Sequence, residues 1–342
     1  MRVLHVDTGC EWRGGQTQML HLLRSRLNDG VALPRGASLE HTIKQLGNAT
    51  LYLNYRGSLS AVRSVRRAVA EFEPDLLAAH TSHAHNACVA ARCAQPLVVH
   101  RRVDFPPGRC SYWKYRRADR FVAVSGAVKN ILVQIGVDAN KIDVVYDGVD
   151  GRSWESQEGD PLKLRKQLGF PDEVPLVLAV GALVPHKGHQ YLIEAMTHLP
   201  GHYLVIAGDG PERNRLRRQI QRLGLQKRAR LLGQRADIPF LMKSVGTFCH
   251  CSVEEGMGQV VVEAMLARVP VVATAAGGVP EIVGASALVV PVADSVTLAD
   301  ALAKSTVEYD LLEADAQRAQ RLFSVAKMVA GTERAYEEVL CS

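Results

Sequence analysis

The chain has no apolar run of about eighteen residues, the length a membrane-crossing helix needs, so no transmembrane helix is expected. Its first segment, Met1-Arg2-Val3-Leu4-His5-Val6, lacks the apolar core of a signal peptide and reads as a strand, which makes the cytosol the expected compartment. No CxxC pair occurs. The seven cysteines, at positions 10, 88, 93, 110, 249, 251 and 341, are odd in number, and without an export signal they read as reduced thiols packed as small hydrophobes. Cys249 and Cys251 alternate along a strand around His250, too few ligands for a metal centre.

What is present describes a globular protein. The chain of 342 residues is 47% hydrophobic, enough for two domains that each bury a core. Charge divides unevenly between them. Residues 1–150 carry 20 Lys and Arg against 13 Asp and Glu, a net of +7, while the remainder carries 21 against 22, a net of −1. The excess predicts an acidic partner for the first half, against the plain alternative of a solvated basic face. It is densest from Arg101 to Arg120, where Phe105, Tyr112, Trp113 and Tyr115 are interleaved, and Arg63, Arg66, Arg67, Arg101, Arg102, Arg109, Lys114, Arg116 and Arg117 make up the expected face. An anionic membrane surface is one such partner.

The chemistry concentrates in one stretch, Thr247 to Met265. An apolar strand runs into an acidic, glycine-rich turn and a helix opens near Gln259, so backbone N–H groups of Gly256, Met257, Gly258, Gln259 and Val260 face what lies beyond the strand, an arrangement suited to phosphate. Glu255 caps the turn and Glu263 lies about a helical turn further on, and carboxylates accept hydrogen bonds from vicinal hydroxyls. Together these features describe a nucleotide sugar; two solvated glutamates beside an ordinary turn are the plain alternative.

Glu255-Gly256-Met257-Gly258-Gln259-Val260-Val261-Val262-Glu263-Ala264-Met265 resembles the E-x7-E signature of the retaining glycosyltransferases of family GT4, and the likeness continues through Pro270 to Thr274 and Gly277 to Glu281. The resemblance implies an α/β fold of the GT-B kind, two Rossmann-like domains with parallel sheets facing a central cleft. Residues 1–150, joined by about 325–342 in a helix crossing back, would form the acceptor domain, and 151–324 the nucleotide-sugar domain. It implies transfer of a sugar from a nucleoside diphosphate donor with retention, to a glycan or lipid-linked acceptor. No metal, no cofactor and no nucleic acid are implied.

The resemblance also assigns residues. Gly14 and Gly15 follow the first strand where the family places a Gly-Gly pair near the donor phosphate. Lys187-Gly188 matches the family's Lys-Gly and makes Lys187 the cation on the diphosphate, although Ala182 stands where the family has an arginine. Gln234 and Arg235 lie at the strand end that holds the nucleobase through backbone groups. Glu255 would hold donor-sugar hydroxyls and Glu263 the ribose diol, with Lys187 and Glu255 as the catalytic pair. Arg102 stands near a family histidine, and Tyr146-Asp147-Gly148-Val149-Asp150 replaces the family's Pro-Asn-Gly-Val-Asp.

Residue patterns supply further expectations. His80, His83 and His85 fall at the C-terminal end of the strand 74–80, where open α/β sheets place ligands; their spacing mimics a metal site, but no carboxylate or cysteine is clustered with them, and with Arg101 and Arg102 they are expected to line the acceptor site. The second strand, after Gly30, looks like a shortened edge strand, the first helix is expected over Met19 to Leu27, and the polar segment 151–161 reads as the interdomain linker. Arg213 to Leu223 reads as a solvated basic helix. Two other classes fit the same residues. A nucleotide-sugar epimerase of related architecture would act without an acceptor, and a catalytically silent nucleotide-sugar-binding protein would bind donor without turnover.

Overall fold

The computed structural model describes residues 1–54, 57–155 and 157–341. They form two compact units, Met1–Gly148 with Val325–Ser342, and Val149–Ser324. The first holds seven strands, β1 (Val3–Val6), β2 (Gly30–Pro34), β3 (Ala49–Leu53), β4 (Leu76–Ala79), β5 (Leu97–Arg101), β6 (Arg120–Ala123) and β7 (Ile142–Val144), in the order 3-2-1-4-5-6-7. The second holds β8 (Leu176–Val180), β9 (Tyr203–Ala207), β10 (Ala229–Gly233), β11 (Thr247–His250), β12 (Val271–Thr274) and β13 (Leu288–Val290), in the order 10-9-8-11-12-13.

All pairings between these strands are parallel, and helices cross between them, so most central strands are buried on both faces and read as short unbroken apolar runs such as Leu-Leu-Ala-Ala and Leu-Val-Leu-Ala-Val. Each sheet is wound outward from a middle strand and then outward the other way. The reversals fall between β1 and β4 in one unit and between β8 and β11 in the other, and such a reversal opens a crevice beyond the C-terminal strand ends.

The last helix, Val325–Leu340, belongs to the first unit. Its Tyr336 and Ala335 pack on Val3, Leu76, Val98 and Val122, while Met328 and Val329 meet Leu22. Each fully buried large apolar side chain contributes about 1.5–3 kcal/mol, whereas the ion pair from Glu333 to Arg26, at 3.0 Å and partly exposed, adds at most about 1 kcal/mol. Apolar burial therefore holds this helix in place.

Four sequence expectations change. Strand β2 is not an edge strand: it is bonded on both sides, with Val31, Ala32 and Leu33 buried and Gly30 packed so close to the Phe72 ring that a Cβ would lie 2.8 Å from it. The edge falls to β3. The first helix starts at Gly14 and runs to Ser25, because Gln16 accepts from the Arg13 N–H at 3.2 Å and caps it early. His83 and His85 lie in a helix, Ser82–Ala91, whose N-cap Thr81 accepts from Ala84 N–H at 3.2 Å. The segment 151–161 is not an open linker: the helix Arg152–Glu155 buries Trp154, and Val149 bonds to the Phe323 carbonyl. Ser156 of that segment lies outside the described residues.

Candidate active site

In the second unit the two loops beside the chain reversal are stitched together. After β8 the chain enters a 3-10 turn, Pro185–Lys187, and Gly188 then takes φ +66°; a Cβ there would lie 1.9 Å from the Cys251 carbonyl oxygen, so only glycine permits the approach. The β11 loop answers from its side. Val253 N–H donates to the His186 carbonyl at 2.8 Å, Cys251 Sγ to the Lys187 carbonyl at 3.3 Å, and Thr274 Oγ1 ties Ser252 at 2.5 Å.

These ties bring Lys187 from one loop to Glu255 from the other. Lys187 Nζ donates to Glu255 Oε2 at 2.5 Å, Ser252 Oγ donates to the same oxygen at 3.2 Å, and His250 Nε2 stands 3.1 Å from it. Burial alone opposes ionisation of Glu255, but the His250 contact and the Lys187 charge outweigh it and hold the carboxyl well below the usual range. A permanent carboxylate, able only to accept, sits at the end of β11.

Glu263 behaves in the opposite way. It lies on the helix Gln259–Leu266, and burial pushes its carboxyl up to about 7 against the pull of the Gln259 Nε2 hydrogen bond at 3.2 Å. Between the two glutamates, Gly256 and Gly258 are buried, and Gly258 begins the helix at φ +94°, which favours glycine. The Met257 side chain is in the core, so this residue can offer a ligand its backbone alone. Gln259 and Val260 are half-buried on the first helical turn.

Gln234 and Arg235 are exposed just past β10, and Arg235 forks onto Asp237 at 2.7 and 2.5 Å. Arg213 reaches the same strand ends: its guanidinium lies 3.1 Å from where a Cβ on Gly233 would stand, and 3.2 Å from Asp209. It was legible only as one basic residue among many, although its place directly after β9 and the Gly208-Asp209-Gly210 turn was the available signal.

In the first unit, Gly14 and Gly15 open the helix that follows β1, and a Cβ on Gly15 would lie 3.7 Å from the Arg102 side chain. Arg102 Nε donates to Asp147 at 3.2 Å, and its Nη1 lies 3.4 Å from His80 Nδ1. Arginine can only donate, so His80 accepts at Nδ1 and donates from Nε2 to His5 Nδ1 at 2.9 Å, and His5 donates in turn to Asp29 at 3.2 Å. His100 stacks on His80 with ring centroids 4.4 Å apart and bonds Tyr336 at 2.8 Å. Burial pushes the pKa of both His80 and His100 well down, so they are neutral.

The expected acceptor lining therefore separates. His80 has both ring nitrogens engaged inside the unit. His85 is buried against Tyr115 and Phe121 and bonded to the Lys114 carbonyl, and His83 is exposed. Arg101 and Lys114 are not part of an exposed rim: Arg101 bonds the Tyr115 hydroxyl and the Phe105 carbonyl, and Lys114 bonds Ser82. Both heads bond neutral oxygens inside the unit, and burial brings Lys114 down to about 8. Arg102 alone of the five lies beside Gly15.

Residues 161–321 match the family model described as glycosyl transferases group 1, and residues 30–152 match that of Glycosyltransferase Family 4. This chain belongs to the GT4-type glycosyltransferases. Anabaena HepE, solved in complex with UDP, is similar over 99% of this chain and all of its own, with a TM-score of 0.86 and 28% identity. The lipopolysaccharide core biosynthesis glycosyltransferase LpsD of Rhizobium meliloti is 27% identical over 313 residues, 88% of this chain and 87% of the relative. The 2-deoxystreptamine glucosyltransferase of Streptomyces kanamyceticus is 29% identical over 206 residues, 58% of this chain. This chain spans about half the length of that last relative, at 53%.

With two doubly wound parallel sheets, this GT4-type glycosyltransferase has the GT-B fold. Two of its departures from the family pattern in the first unit, Arg102 and Asp147, are paired with each other. In the second unit, Ser252 and His250 join the glutamate of the signature. Ser252 was not singled out from the sequence and His250 was weighed only beside Cys249 and Cys251, yet His250 is the last residue of the strand that feeds the signature, at the strand end where such sheets place ligands.

Proposed function

We propose that this glycosyltransferase moves a sugar from a nucleoside diphosphate donor to a hydroxyl of a glycan or lipid-linked acceptor, with retention at the anomeric carbon and no resident metal. The observation that carries this reading is the ionised Glu255 bound to Lys187 at the reversal between β8 and β11. Lys187 has three N–H donors, so it can keep Glu255 and still meet a phosphate oxygen. As the bond from the anomeric carbon to the diphosphate breaks, negative charge grows on the departing oxygen, and Lys187 with the N–H groups of the 256–260 turn stabilises it. The acceptor oxygen forms the new bond, and its proton passes to the departing phosphate.

In this reading Glu255 orients donor hydroxyls and Glu263 grips the ribose diol. Gln234 and Arg235 offer backbone groups to the base, and Gly14, Gly15 and Arg102 approach the donor or acceptor. UDP is the first nucleotide to try, since HepE was solved with UDP, and LpsD motivates a cell-envelope acceptor. An anionic acceptor or membrane surface is supported by the net +7 of residues 1–150 and by exposed Arg63, Arg67, Arg109 and Arg116.

The test is a thermal-shift panel of UDP, GDP and ADP with their sugar conjugates, followed by NMR of the product's anomeric configuration. Stabilisation by one nucleotide series and a retained anomer are expected. No shift with any nucleotide overturns the donor assignment, and an inverted anomer overturns retention. Epimerised sugar formed without acceptor would make the chain an epimerase instead. Co-sedimentation with anionic but not neutral vesicles, lost at high salt, is expected for the membrane form, and its absence at low salt defeats it.

A further inference from the structure

The helix Ser82–Ala91 turns into β5 through Arg92-Cys93-Ala94-Gln95-Pro96, at the N-terminal strand ends of the first sheet, opposite to Gly14 and Arg102. A cavity of about 400 Å³ opens there, lined by Arg66, Val89, Ala90, Arg92, Trp113 and Arg117. A second cavity of about 370 Å³ shares Val89, Arg92 and Arg117 with it and runs past Cys93 to Asp119. Three arginines line the first cavity, and no carboxylate lines it.

A helix C-terminus draws cations, and part of this cluster answers that need: Arg66 Nε donates to the Ala91 carbonyl at 2.9 Å. The end of a helix carries only about half a negative charge, however, so one arginine offsets it and two remain in excess. Among the described residues, no acid forms an ion pair with any of the three. The one carboxylate in the adjoining cavity, Asp119, accepts from the Leu97 N–H at 2.7 Å. Arg117 lies over the Trp113 ring, 5.9 Å from its centroid, and Trp113 is 49% exposed. An exposed aromatic ring thus adjoins unneutralised forked donors.

We propose that this groove is a second anion site, taking a phosphate or diphosphate group on its arginines with the organic part against Trp113 and Val89. Planar guanidinium forks match phosphate oxygens in pairs, which a solvated lysine face does not. The site lies away from the strand ends at which donor and acceptor chemistry is proposed, so it tethers or senses a phosphorylated molecule and takes no part in the transfer. Its existence does not depend on the donor assignment. The phosphate comes either from a phospholipid headgroup or from a soluble organic phosphate.

The full chain labelled with 5-fluorotryptophan reports on this site through the Trp113 resonance, assigned with Trp113→Phe. Titration with inorganic pyrophosphate, in wild type and in a Lys187→Ala background, is expected to shift that resonance saturably. Arg92→Gln combined with Arg117→Gln is expected to raise the Kd at least about 10-fold, the loss of 1.4 kcal/mol or more. UDP binding, read separately by calorimetry, is expected to be the same with and without the double substitution. No saturable shift in wild type, or an unchanged Kd in the double variant, overturns the site whatever UDP does. Sedimentation with phosphatidylglycerol vesicles that the double variant loses identifies the lipid source; pyrophosphate binding without vesicle binding identifies the soluble one.

Discussion

In the first unit His80, at the end of β4, stacks on His100 and relays hydrogen bonds from Arg102 to His5 and Asp29. In the second, His250, at the end of β11, faces Glu255 together with Lys187. Both clusters are buried, and both lie beside a chain reversal. Burial drives His80 and His100 neutral because, among the described residues, no carboxylate contacts either ring to favour the charged form. Burial would likewise neutralise Glu255, but the His250 contact and the Lys187 charge in the same pocket reverse the outcome. Whether a buried group stays neutral or ionised depends on the charge in direct contact with it.

The largest effect that separates the two clusters is expected from Lys187→Ala. Loss of the charge on the departing diphosphate costs about 10²-fold or more in kcat, with a smaller change in donor binding. Turnover equal to wild type in a donor-saturated assay would remove Lys187 from the site. His80→Ala is the counterpart in the first unit: it leaves His5 Nδ1 without its donor and costs about 2 kcal/mol of stability, read by urea unfolding. UDP affinity is expected to be unaffected. A loss of UDP affinity with unchanged stability would reverse the roles assigned to the two clusters.

Glu263 sharpens the comparison through pH. Its folded pKa of about 7 exceeds the ordinary 4.5, so the folded state binds the proton more tightly than the unfolded one. The group is neutral and harmless below about pH 4.5, and its burial increasingly destabilises the fold as pH rises towards 7. Glu263→Gln is therefore expected to raise stability at pH 8 by about 1–2 kcal/mol, a value reduced for its partial exposure, and to change nothing at pH 4. A gain equal at both pH values would mean that Glu263 is not titrating. The smallest effect is expected from Arg235→Ala. Its ion pair with Asp237 is exposed and in the proposed donor site only its backbone would meet the base, so stability is expected to move by under about 0.5 kcal/mol, and UDP affinity by less than twofold in calorimetry.

Much of the second unit was legible because its signals are local. Apolar runs such as Leu176–Val180 and the helix start after Gly258 depend on near neighbours, and the resemblance from Glu255 to Met265 specified a family. The first unit was read less well. The shortness of Val31-Ala32-Leu33 concealed an interior strand, since ladder partners on both sides, β1 and β3, make up for length. His80, His83 and His85 looked like one cluster at a spacing of a few residues, but a helix beginning at Ser82 turns His83 to solvent and His85 into the core.

The sequence by itself determined the family, the alternation of strand and helix, and the residue types of the candidate site, because these follow from local periodicity and from a contiguous motif. Only the tertiary structure decided which charges are available. Arg101 and Lys114 are buried inside the first unit, Arg102 is paired with Asp147 some 45 positions away, and Glu255 is held ionised by His250 and by a lysine 68 positions before it. A side chain's charge state depends on burial and on the nearest opposite charge, and both are set by which strands the fold makes neighbours.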